Sequence, residues 1–302
     1  CNFQDNYEQN IHLNGCTDAT VTNCILVGGQ SNGIISTFAA EGFVTENCEV
    51  TNCILRGGNV TGINLNGGQG AVKDFTFRGN RIENVASHGI NAFVSKADDA
   101  QDAVPTNIHI VNNTIVDAGG FGIRFFGAED VTIESTGGAD DTEIAVSNGE
   151  TISVTGSGAV IDGFTINKTA TDGDTDATVD ISAQATLNNS VVVDNSDGAT
   201  GISVSSPGAE VDLVSNEIDQ FETGVSVTAG SDGNVNVDSV TINGTDTAGI
   251  DLAGASNSSV VNVTDSTFTQ NEEGVRLSGS TSDAQVNVHF NTFEDNTDAG
   301  VY

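Results

Sequence analysis

The stretch VTNCILVGGQSNGI at residues 21–34 returns almost unchanged as VTNCILRGGNVTGI at residues 50–63. Each copy joins an Asn-x-Ile triplet to a Gly-Ile pair, and looser copies of both continue along the chain. The triplet recurs at residues 80–82, 113–115, 216–218 and 291–293, and a Gly-Ile or Gly-Val pair begins at residues 89, 122, 201, 224, 249, 274 and 300. Self-similarity at a nearly fixed interval identifies a repeat protein.

Within each repeat, apolar and polar residues alternate as they do in β-strands. The triplets FTF at 75–77, IHI at 108–110 and VNV at 235–237 and 286–288 each place two apolar side chains on one face. The 36 glycines and only two prolines suit many tight corners and few interruptions of strand pairing. Strands that are too short to bury one face alone can bury it when each coil stacks on the previous one. This logic predicts an all-β parallel solenoid with 23–29 residues in most coils.

The repeat resembles the right-handed parallel β-helix proteins, pectate-lyase-like in architecture, over most of the chain. The resemblance implies an inward-facing asparagine ladder at one corner of the coils, with Asn23, Asn52, Asn80 and Asn113 at the ladder position. A β-propeller would instead need roughly 40–45 residues per blade. We therefore expect a right-handed β-helix.

Residues 128–200 interrupt the repeat, because no Gly-Ile pair occurs between Gly122 and Gly201. The stretch ETISVTGSGAVIDGFTINKT at 150–169 nevertheless has the pattern of a first coil, and strand-like pieces follow at 178–182 and 190–194. We predict two β-helix blocks, residues 1–135 and 136–302. They form either two domains or one continuous helix.

Acidic residues dominate the chain, since 42 Asp and Glu against 8 Lys and Arg give a formal net charge of −34. Residues 1–127 hold 12 acidic and 6 basic residues, a net charge of −6, and residues 128–302 hold 30 and 2, a net charge of −28. This composition resembles that of proteins from haloarchaea or their viruses, and a highly acidic surface protein from a low-salt organism is the alternative. We expect an extracellular, cell-surface or virion-surface protein in high salt, where screening weakens the repulsion.

The same features exclude two classes of partner. A strongly negative chain has the wrong sign of charge for the phosphate contacts that dominate nucleic-acid binding. No run of eighteen apolar residues occurs, so membrane insertion is not expected. The absence of Met and the start at Cys1 indicate a processed or excerpted chain, and the repeat pattern predicts that the parent protein continues.

The five cysteines all lie within the first 53 residues. Cys24 and Cys53 occupy the same position of the opening repeat, so we expect them on neighbouring coils. The distance between their Cα atoms would then permit a disulfide. We favour free thiols, because the odd count leaves at least one cysteine unpaired. Asn-x-Ser/Thr sequons, which in a secreted protein mark exposed turns, occur at Asn59, Asn112, Asn167, Asn188, Asn243, Asn257 and Asn262.

One acidic cluster has the spacing of a metal-binding loop. The segment DGDTD places Asp172, Asp174 and Asp176 at alternate positions, and Ca²⁺ takes several oxygen ligands from one bend. The downstream glycine and bidentate glutamate of an EF-hand are missing. We expect no obligatory cofactor, with calcium as the candidate ion, and a solvated acidic loop is the alternative.

Cationic residues cluster in the third and fourth coils of this acidic chain. The candidates for glycan binding are Arg78, Arg81, His88, Lys96, His109 and Arg124. Alternation predicts that Arg78, Arg81 and His109 point outward beside one corner, whereas Arg124 belongs to another face. Arginine binds carboxylate or sulfate groups bidentately, so the patch predicts a site for an acidic glycan. Scattered surface charges are the alternative.

The resemblance also implies an enzymatic hypothesis. Ser87-His88-Gly89 is similar to part of a Gly-His-Gly motif of β-helix glycosidases, but the accompanying aspartate motifs are absent, and a polar residue in the turn before a strand explains His88 equally well. Our principal expectation is an adhesive or structural β-helix that presents a glycan-facing side, with a homo-oligomer as a further expectation and a trimer if it is a viral fibre. The second hypothesis is a polysaccharide lyase, glycoside hydrolase or epimerase that acts on an acidic polysaccharide.

Overall fold

A computed structural model of the 302-residue chain describes residues 1–4, 9–30, 33–38, 42–67, 70–93, 104–138, 143–146, 150–169, 176–194, 200–205, 210–228, 233–253, 259–279 and 285–302. These residues contain strands and turns and no helix. The strands, numbered in chain order, form three parallel sheets that we call A, B and C.

Sheet A comprises β1 (Asn2–Gln4), β4 (Ile25–Val27), β7 (Ile54–Arg56), β10 (Arg81–Val85), β13 (Thr114–Ala118), β16 (Glu143–Val146), β19 (Thr165–Lys168), β22 (Val191–Asp194), β25 (Glu217–Asp219), β28 (Thr241–Asn243), β31 (Thr267–Thr269) and β34 (Thr292–Glu294). Sheet B comprises β2 (Ile11–Leu13), β5 (Gly33–Phe38), β8 (Thr61–Asn66), β11 (Ile90–Phe93), β14 (Ile123–Phe126), β17 (Ile152–Val154), β20 (Val179–Ile181), β23 (Thr200–Val204), β26 (Thr223–Val227), β29 (Ala248–Leu252), β32 (Glu273–Arg276) and β35 (Ala299–Val301). Sheet C comprises β3 (Thr20–Thr22), β6 (Val44–Thr51), β9 (Ala71–Arg78), β12 (Thr106–Val111), β15 (Glu129–Glu134), β18 (Ala159–Asp162), β21 (Ala185–Asn188), β24 (Glu210–Val214), β27 (Asn234–Asp238), β30 (Val260–Thr264) and β33 (Gln285–His289).

Each strand pairs in parallel with the strands three positions before and after it in the chain. The polypeptide therefore winds from sheet A to sheet B to sheet C in every coil, and the coils stack at about 4.8 Å. The expected all-β parallel solenoid is confirmed.

The inward-facing side chains of the strands form a continuous apolar core. In sheet A, Leu55, Ile82, Ile115 and Ile144 stack in register from coil to coil and are fully buried. The alternating triplets of sheet C behave as predicted, because Phe75, Phe77, Ile108 and Ile110 point into this core. Coil stacking thus buries strands that are too short to bury a face by themselves.

The expected corner ladder exists at Asn80 and Asn113, which are 2% and 1% exposed. The Asn80 Oδ1 accepts from the Cys53 N–H at 2.9 Å, and its Nδ2 donates to the Val50 carbonyl at 2.8 Å. The Asn113 Oδ1 in turn accepts from the Asn80 N–H at 3.0 Å. Each amide thereby satisfies backbone groups of the preceding coil that the bend leaves unpaired.

The prediction that Asn23 and Asn52 belong to this ladder is wrong by one residue. Strand register pairs Ile54 with Arg81, which brings Cys53 rather than Asn52 to the buried position. Asn23 and Asn52 instead occupy the preceding position with φ of 53° each, and both are exposed. Asparagine tolerates this left-handed conformation, which the turn into sheet A requires.

The Gly-Ile pairs mark a second corner where neighbouring coils approach closely. A Cβ added to Gly89 would lie 2.6 Å from the Gly122 carbonyl oxygen, and one added to Gly224 would lie 2.6 Å from that of Gly249. The Gly33 copy is offset by one residue, because Gly33 pairs with Thr61 and not with its neighbour Gly62. At Gly89 and Gly224, glycine avoids a contact that a Cβ would make with the backbone of the next coil.

The glycine series skips residues 128–200 because threonine occupies its position there. Ile152 pairs with Ile123 and Val179 with Ile152, so Thr151 and Thr178 continue the column from Gly122. All three sheets cross residue 135 through the pairs β13–β16, β14–β17 and β15–β18, with an irregularity in register in the first. Among the described residues, the three sheets continue without a break past the boundary between residues 135 and 136.

All five cysteines are free thiols, as we favoured. Cys24 and Cys53 are stacked on neighbouring coils, because their successors Ile25 and Ile54 pair in register. The Sγ atoms of Cys16 and Cys48 lie 3.9 Å apart, and burial raises the pKa of Cys48 to about 11.

Candidate functional site

A continuous row of polar side chains runs along the outer face of sheet B, one from each of the first eleven of its twelve strands. The row begins at His12 and ends at Arg276, and the residues between the inward apolar positions of the strands supply it. We call it the sheet B row, and in order it consists of His12, Ser36, Asn64, Asn91, Arg124, Ser153, Asp180, Ser203, Ser226, Asp251 and Arg276.

The row is unusual because much of it is buried although it lies on an outer face. Ser36 is 3% exposed, and Asn64, Asn91 and Ser153 are each 7% exposed. The Asn91 Nδ2 donates to the Asn64 Oδ1 at 3.1 Å, which links two successive coils. This low exposure distinguishes the N-terminal part of the row from an ordinary solvated face.

An arginine that contacts two aromatic rings lies near the middle of the row. The Arg124 Cζ is 5.1 Å from the centre of the Phe121 ring and 5.0 Å from that of Phe126. Phe126 is 48% exposed, so the pair presents an apolar ring beside a cation. Cation–π contacts at these distances fix the guanidinium in place.

His88 supports this arrangement from the preceding coil. Its Nδ1 accepts from the Phe121 N–H at 3.1 Å, and the two rings lie 5.0 Å apart. Burial, and secondly the charge of Arg124, lower the pKa of His88 to about 4. His88 is therefore neutral at pH 7 and positions Phe121 against Arg124.

Two carboxyl groups lie in the next coils. Asp180 belongs to the row itself, two coils from Arg124, and Glu150 lies two residues before the start of β17. Burial raises the pKa of both groups, and the charges of Asp176 and Asp180 raise that of Glu150 further. The hydrogen bond from Ser203 acts in the opposite direction on the pKa of Asp180. Carboxyls with raised pKa values are candidates for proton transfer.

At the C-terminal end of the row, charges neutralise each other. Arg276 donates to both carboxylate oxygens of Asp251, at 3.3 Å from Nε and 2.8 Å from Nη2, and Ser278 donates to the same carboxylate at 2.6 Å. These bonds lower the pKa of Asp251 against the effect of burial. This end of the row is a closed structural network.

The predicted cationic patch divides across a corner of the coil. Arg78 and His109 lie on the outer face of sheet C, where His109 is in register with Thr76, and its Nε2 hydrogen-bonds with the Asn107 Oδ1 at 2.9 Å. Arg81 lies across the corner on sheet A, exposed, with its Nε 2.6 Å from the Glu83 carboxylate. In the preceding coil Arg81 is in register with Ile54 and not with Cys53. A glycan site on this patch stays a prediction.

The other site candidates divide in the same way. Arg124 lies on sheet B, a different face from Arg78, as predicted, and His88 lies in the turn before β11. Lys96, Asp172 and Asp174 fall outside the described residues. Asp176 is exposed, and the part of the chain that the structure describes contains no group of three metal-ligating side chains. The calcium loop stays a prediction.

The sequons occupy several environments. Asn59 is exposed, and Asn112, Asn167, Asn188, Asn243 and Asn262 are half-exposed, whereas Asn257 lies outside the described residues. Asn262 is engaged on both sides, because it donates to Asn236 at 2.8 Å and accepts from Asn287 at 2.8 Å. Glycosylation of any of these residues stays a prediction.

Apart from Arg124, the sheet B row is not among the residues that the sequence predicted as a site, although a signal for it exists. In the Gly-Ile and Gly-Val copies that begin at residues 62, 89, 122, 201, 224, 249 and 274, the residue after the pair is always polar. These third residues are members of the sheet B row. The Gly-Ile and Gly-Val pairs mark the corner, and the residue after each of these pairs belongs to the candidate site.

The sequence matches the protein family described as right-handed β-helix region over residues 1–137, 100–262 and 150–302, which together span the chain. The chain belongs to this family. No curated protein sequence matches it. Among the described residues, no helix is long and apolar enough to cross a membrane.

Several solved structures are similar in fold. A GH136 lacto-N-biosidase from Eubacterium ramulus aligns with a TM-score of 0.51 and 12% identity, over 95% of this chain and 51% of that one. The catalytic domain of a GH87 α-1,3-glucanase aligns with a TM-score of 0.46 and 13% identity, over 95% and 52%. The periplasmic alginate epimerase AlgG aligns with a TM-score of 0.43 and 12% identity, over 96% and 74%. The chain spans about half the length of the first two structures, and at these identities the likeness shows the fold alone.

Proposed function

We propose that this protein binds a carbohydrate chain along the outer face of sheet B, in an extracellular, high-salt setting. The observation that carries the proposal is the sheet B row, in which amide, hydroxyl and charged groups follow one another on successive coils. Such a row offers a hydroxyl-rich polymer a hydrogen-bonding partner about every 4.8 Å.

The chemistry of the row fits a carbohydrate better than other extended polymers. Amide and hydroxyl groups both donate and accept, as sugar hydroxyls do. The exposed Phe126 ring beside Arg124 adds an apolar surface next to these polar groups. Nucleic acid does not fit, because the net charge of −34 opposes phosphate binding.

Blocking the row tests the binding proposal. Ser203→Trp places a large side chain on the row next to Asp180, and Thr241→Trp places the same side chain on the exposed outer face of sheet A as a control. We expect polysaccharides bound by the parent protein, measured by calorimetry in molar salt, to lose affinity for Ser203→Trp and to keep it for Thr241→Trp. Equal binding by both variants would place the site elsewhere, and no binding by the parent to a broad polysaccharide panel would refute the proposal.

Two roles share this binding surface. In the adhesive role, the rod holds a surface glycan without changing it, as a cell-surface or virion-fibre element. In the enzymatic role, the protein is a polysaccharide lyase, hydrolase or epimerase. A specific observation favours the second role: Glu150 and Asp180 are carboxyls with raised pKa values beside the same row.

An activity assay separates the two roles. The protein is incubated with the polysaccharides that it binds, and unsaturated products, new reducing ends and changes in sugar configuration are measured. The enzymatic role requires one of these products from the parent protein, and its loss in Glu150→Gln or Asp180→Asn with binding retained. Binding without any product supports the adhesive role.

A further inference from the structure

Two cysteine side chains from neighbouring coils meet at the edge of the apolar core beside sheet C. The Sγ atoms of Cys16 and Cys48 are 3.9 Å apart, although the residues are 32 positions apart in the sequence. Cys48 belongs to β6 and is fully buried, whereas Cys16 lies between β2 and β3 and is half-buried against the core. The pair therefore combines a thiol that solvent reaches with one that it does not reach.

The two thiols meet because they occupy offset positions on either side of a bend. Thr17 pairs in parallel with Glu46, so Cys16 lies one residue before this pair and Cys48 two residues after it. The chain bends at Asn47, whose φ of 58° is left-handed, and the two side chains approach each other across this bend. The Cys48 Sγ also donates to the Glu46 carbonyl at 3.3 Å, which holds it in this position.

The second pair of stacked cysteines lacks both features. Cys24 and Cys53 are 7% and 1% exposed, so neither thiol is open to an oxidant. Their successors Ile25 and Ile54 pair in register, which makes the two cysteines equivalent positions of parallel coils. Side chains at equivalent positions project side by side, and their Cβ atoms stay near the strand spacing of about 4.8 Å, whereas a disulfide needs about 3.5–4.5 Å. The first pair is therefore the better placed for a covalent bond.

We propose that Cys16 and Cys48 form a redox-sensitive disulfide site that joins the coil of β1–β3 to the coil of β4–β6. With glutathione disulfide as the oxidant, the Cys16 thiolate attacks one of its sulfur atoms, a Cys16–glutathione disulfide forms and one glutathione thiolate leaves. The Cys48 thiol then loses its proton to water, and its thiolate attacks the Cys16 sulfur, which forms the intramolecular bond and releases the second glutathione. Two protein thiols are oxidised, and one glutathione disulfide is reduced to two glutathione molecules. This inference is independent of the proposed carbohydrate function.

Burial determines which thiol reacts first. It raises the pKa of Cys48 to about 11, and the charge of a Cys16 thiolate adds to this shift, against the effect of a backbone hydrogen bond at Ala19. Cys48 is therefore a protonated, inaccessible thiol while Cys16 is reduced, and thiolates rather than thiols attack disulfides. Once Cys16 has reacted, its sulfur is neutral and no longer opposes the ionisation of Cys48. The site therefore reacts in one order, with Cys16 first.

Peptide mapping of the oxidised protein tests the site. The reduced protein is incubated in molar salt with glutathione disulfide, the remaining thiols are alkylated after denaturation, and the digested protein is analysed by mass spectrometry. We expect a Cys16–Cys48 cross-link, with the loss of two hydrogen atoms and no retained glutathione. The cross-linked protein should have a higher unfolding midpoint than the reduced protein, because the bond closes a span of 32 residues in the unfolded chain.

Single substitutions separate the roles of the two thiols. Cys48→Ala should retain one glutathione on Cys16, since the attacking thiol of the second step is missing, whereas Cys16→Ser should leave Cys48 unmodified. Cys53→Ala removes a buried thiol of the other pair, and as the matched control it should form the Cys16–Cys48 bond as the parent does. Cys16 is half-buried, so Cys16→Ser keeps the test decisive if a substitution in the core prevents folding.

Three results would overturn the proposal. The first is a parent protein that stays fully reduced or that keeps glutathione on Cys16 without forming the bond. The second is a cross-link of Cys24 with Cys53 or with Cys1 in place of the expected one. The third is a lower unfolding midpoint of the cross-linked form, because the bond would then distort the fold.

Discussion

Single buried amides hold the corners of this β-helix. Asn113 alone serves three partners, since its Oδ1 accepts from Asn80 and its Nδ2 donates to the carbonyls of Phe77 at 2.7 Å and Val111 at 3.1 Å. The Val111 carbonyl also accepts from the Gly79 N–H at 2.9 Å, whereas the buried Asn80 N–H has the Asn113 side chain as its acceptor.

Asn113→Leu keeps the size of this side chain and removes its polar atoms. We expect the free energy of unfolding to fall by roughly 1–3 kcal/mol, because backbone groups at the corner lose their partners. Asn188→Leu, on the half-exposed outer face of sheet C, is the control and should change stability little. Denaturant unfolding in molar salt gives both values, and equal effects in the two variants would contradict the role of the corner amide.

The carboxyls beside the sheet B row make a prediction about pH. Glu150 and Asp180 have folded-state pKa values above their ordinary values of 4.5 and 3.8. The unfolded chain releases these protons at lower pH than the folded protein does, so their contribution favours folding in acid and is lost as pH rises through the folded pKa. At neutral pH both groups therefore destabilise the fold.

Glu150→Gln and Asp180→Asn should each raise the unfolding midpoint at pH 7, by about 1–3 °C. The gain should vanish below the ordinary carboxyl pKa, where the parent carboxyls are protonated and neutral as well. Thermal melts across this pH range are the measurement. A midpoint that falls at pH 7 would show that the carboxylates stabilise the fold and would weaken their assignment as a functional pair.

At the scale of elements, the glycine column shows how closely the coils approach. The alternation of strand residues and the interval between glycines were sufficient to predict the solenoid and most of its strands. The one-residue position of the corner was not predictable from the first two repeats, because both Asn23 and Cys24 are short polar or weakly polar residues that fit a bend. A one-residue slip reverses which side chain faces inward, and only the stacking against later coils decides it.

Gly224→Ala tests the close approach of the coils. The new Cβ would lie 2.6 Å from the Gly249 carbonyl oxygen and 2.7 Å from an Ile242 methyl group, so the coils must shift. We expect destabilisation of about 1–3 kcal/mol, the range for overpacked sites. Thr178→Ala, in the same column but with a Cβ already present, should be nearly neutral. A tolerated Gly224→Ala would mean that this corner is more adaptable than its geometry indicates.

The candidate site was harder to predict than the fold for a physical reason. Asn64, Asn91 and Arg124 are 27 and 33 residues apart in sequence and become neighbours only through coil stacking. The raised pKa values of Glu150 and Asp180 depend on burial on an outer face, which strand alternation assigns to solvent. The clustering of cations in an acidic sequence predicted a site at Arg78 and Arg81, which do not belong to the sheet B row.

For the molecule as a whole, charge is distributed unevenly along the axis. The net charge of −28 in residues 128–302 compares with −6 in residues 1–127. Parallel stacking brings carboxylates of successive coils close together, and only screening limits their repulsion. The Debye length is about 3 Å at 1 M salt and about 10 Å at 0.1 M.

Lowering the salt concentration from molar to 0.1 M should therefore loosen the C-terminal half first. Hydrogen exchange at the two salt concentrations measures this, and we expect amides of sheets A, B and C beyond residue 136 to lose protection before those of the first coils. Neutral sucrose at low salt serves as a control for general stabilisation. Equal loss in both halves would contradict the electrostatic explanation.

The corner amides also give the rod a direction. Cys53 donates its N–H to Asn80, Ser190 to Asn216 and Thr245 to Asn271, so in each case an earlier coil depends on an acceptor that the next coil supplies. In these three coils the acceptor lies later in the chain than the N–H group that it satisfies. Removal of coils therefore acts differently at the two ends: loss from the C-terminal side strips a corner N–H of its side-chain acceptor, whereas loss from the N-terminal side strips strand N–H groups, such as that of Arg81, of their carbonyl acceptors in the preceding coil.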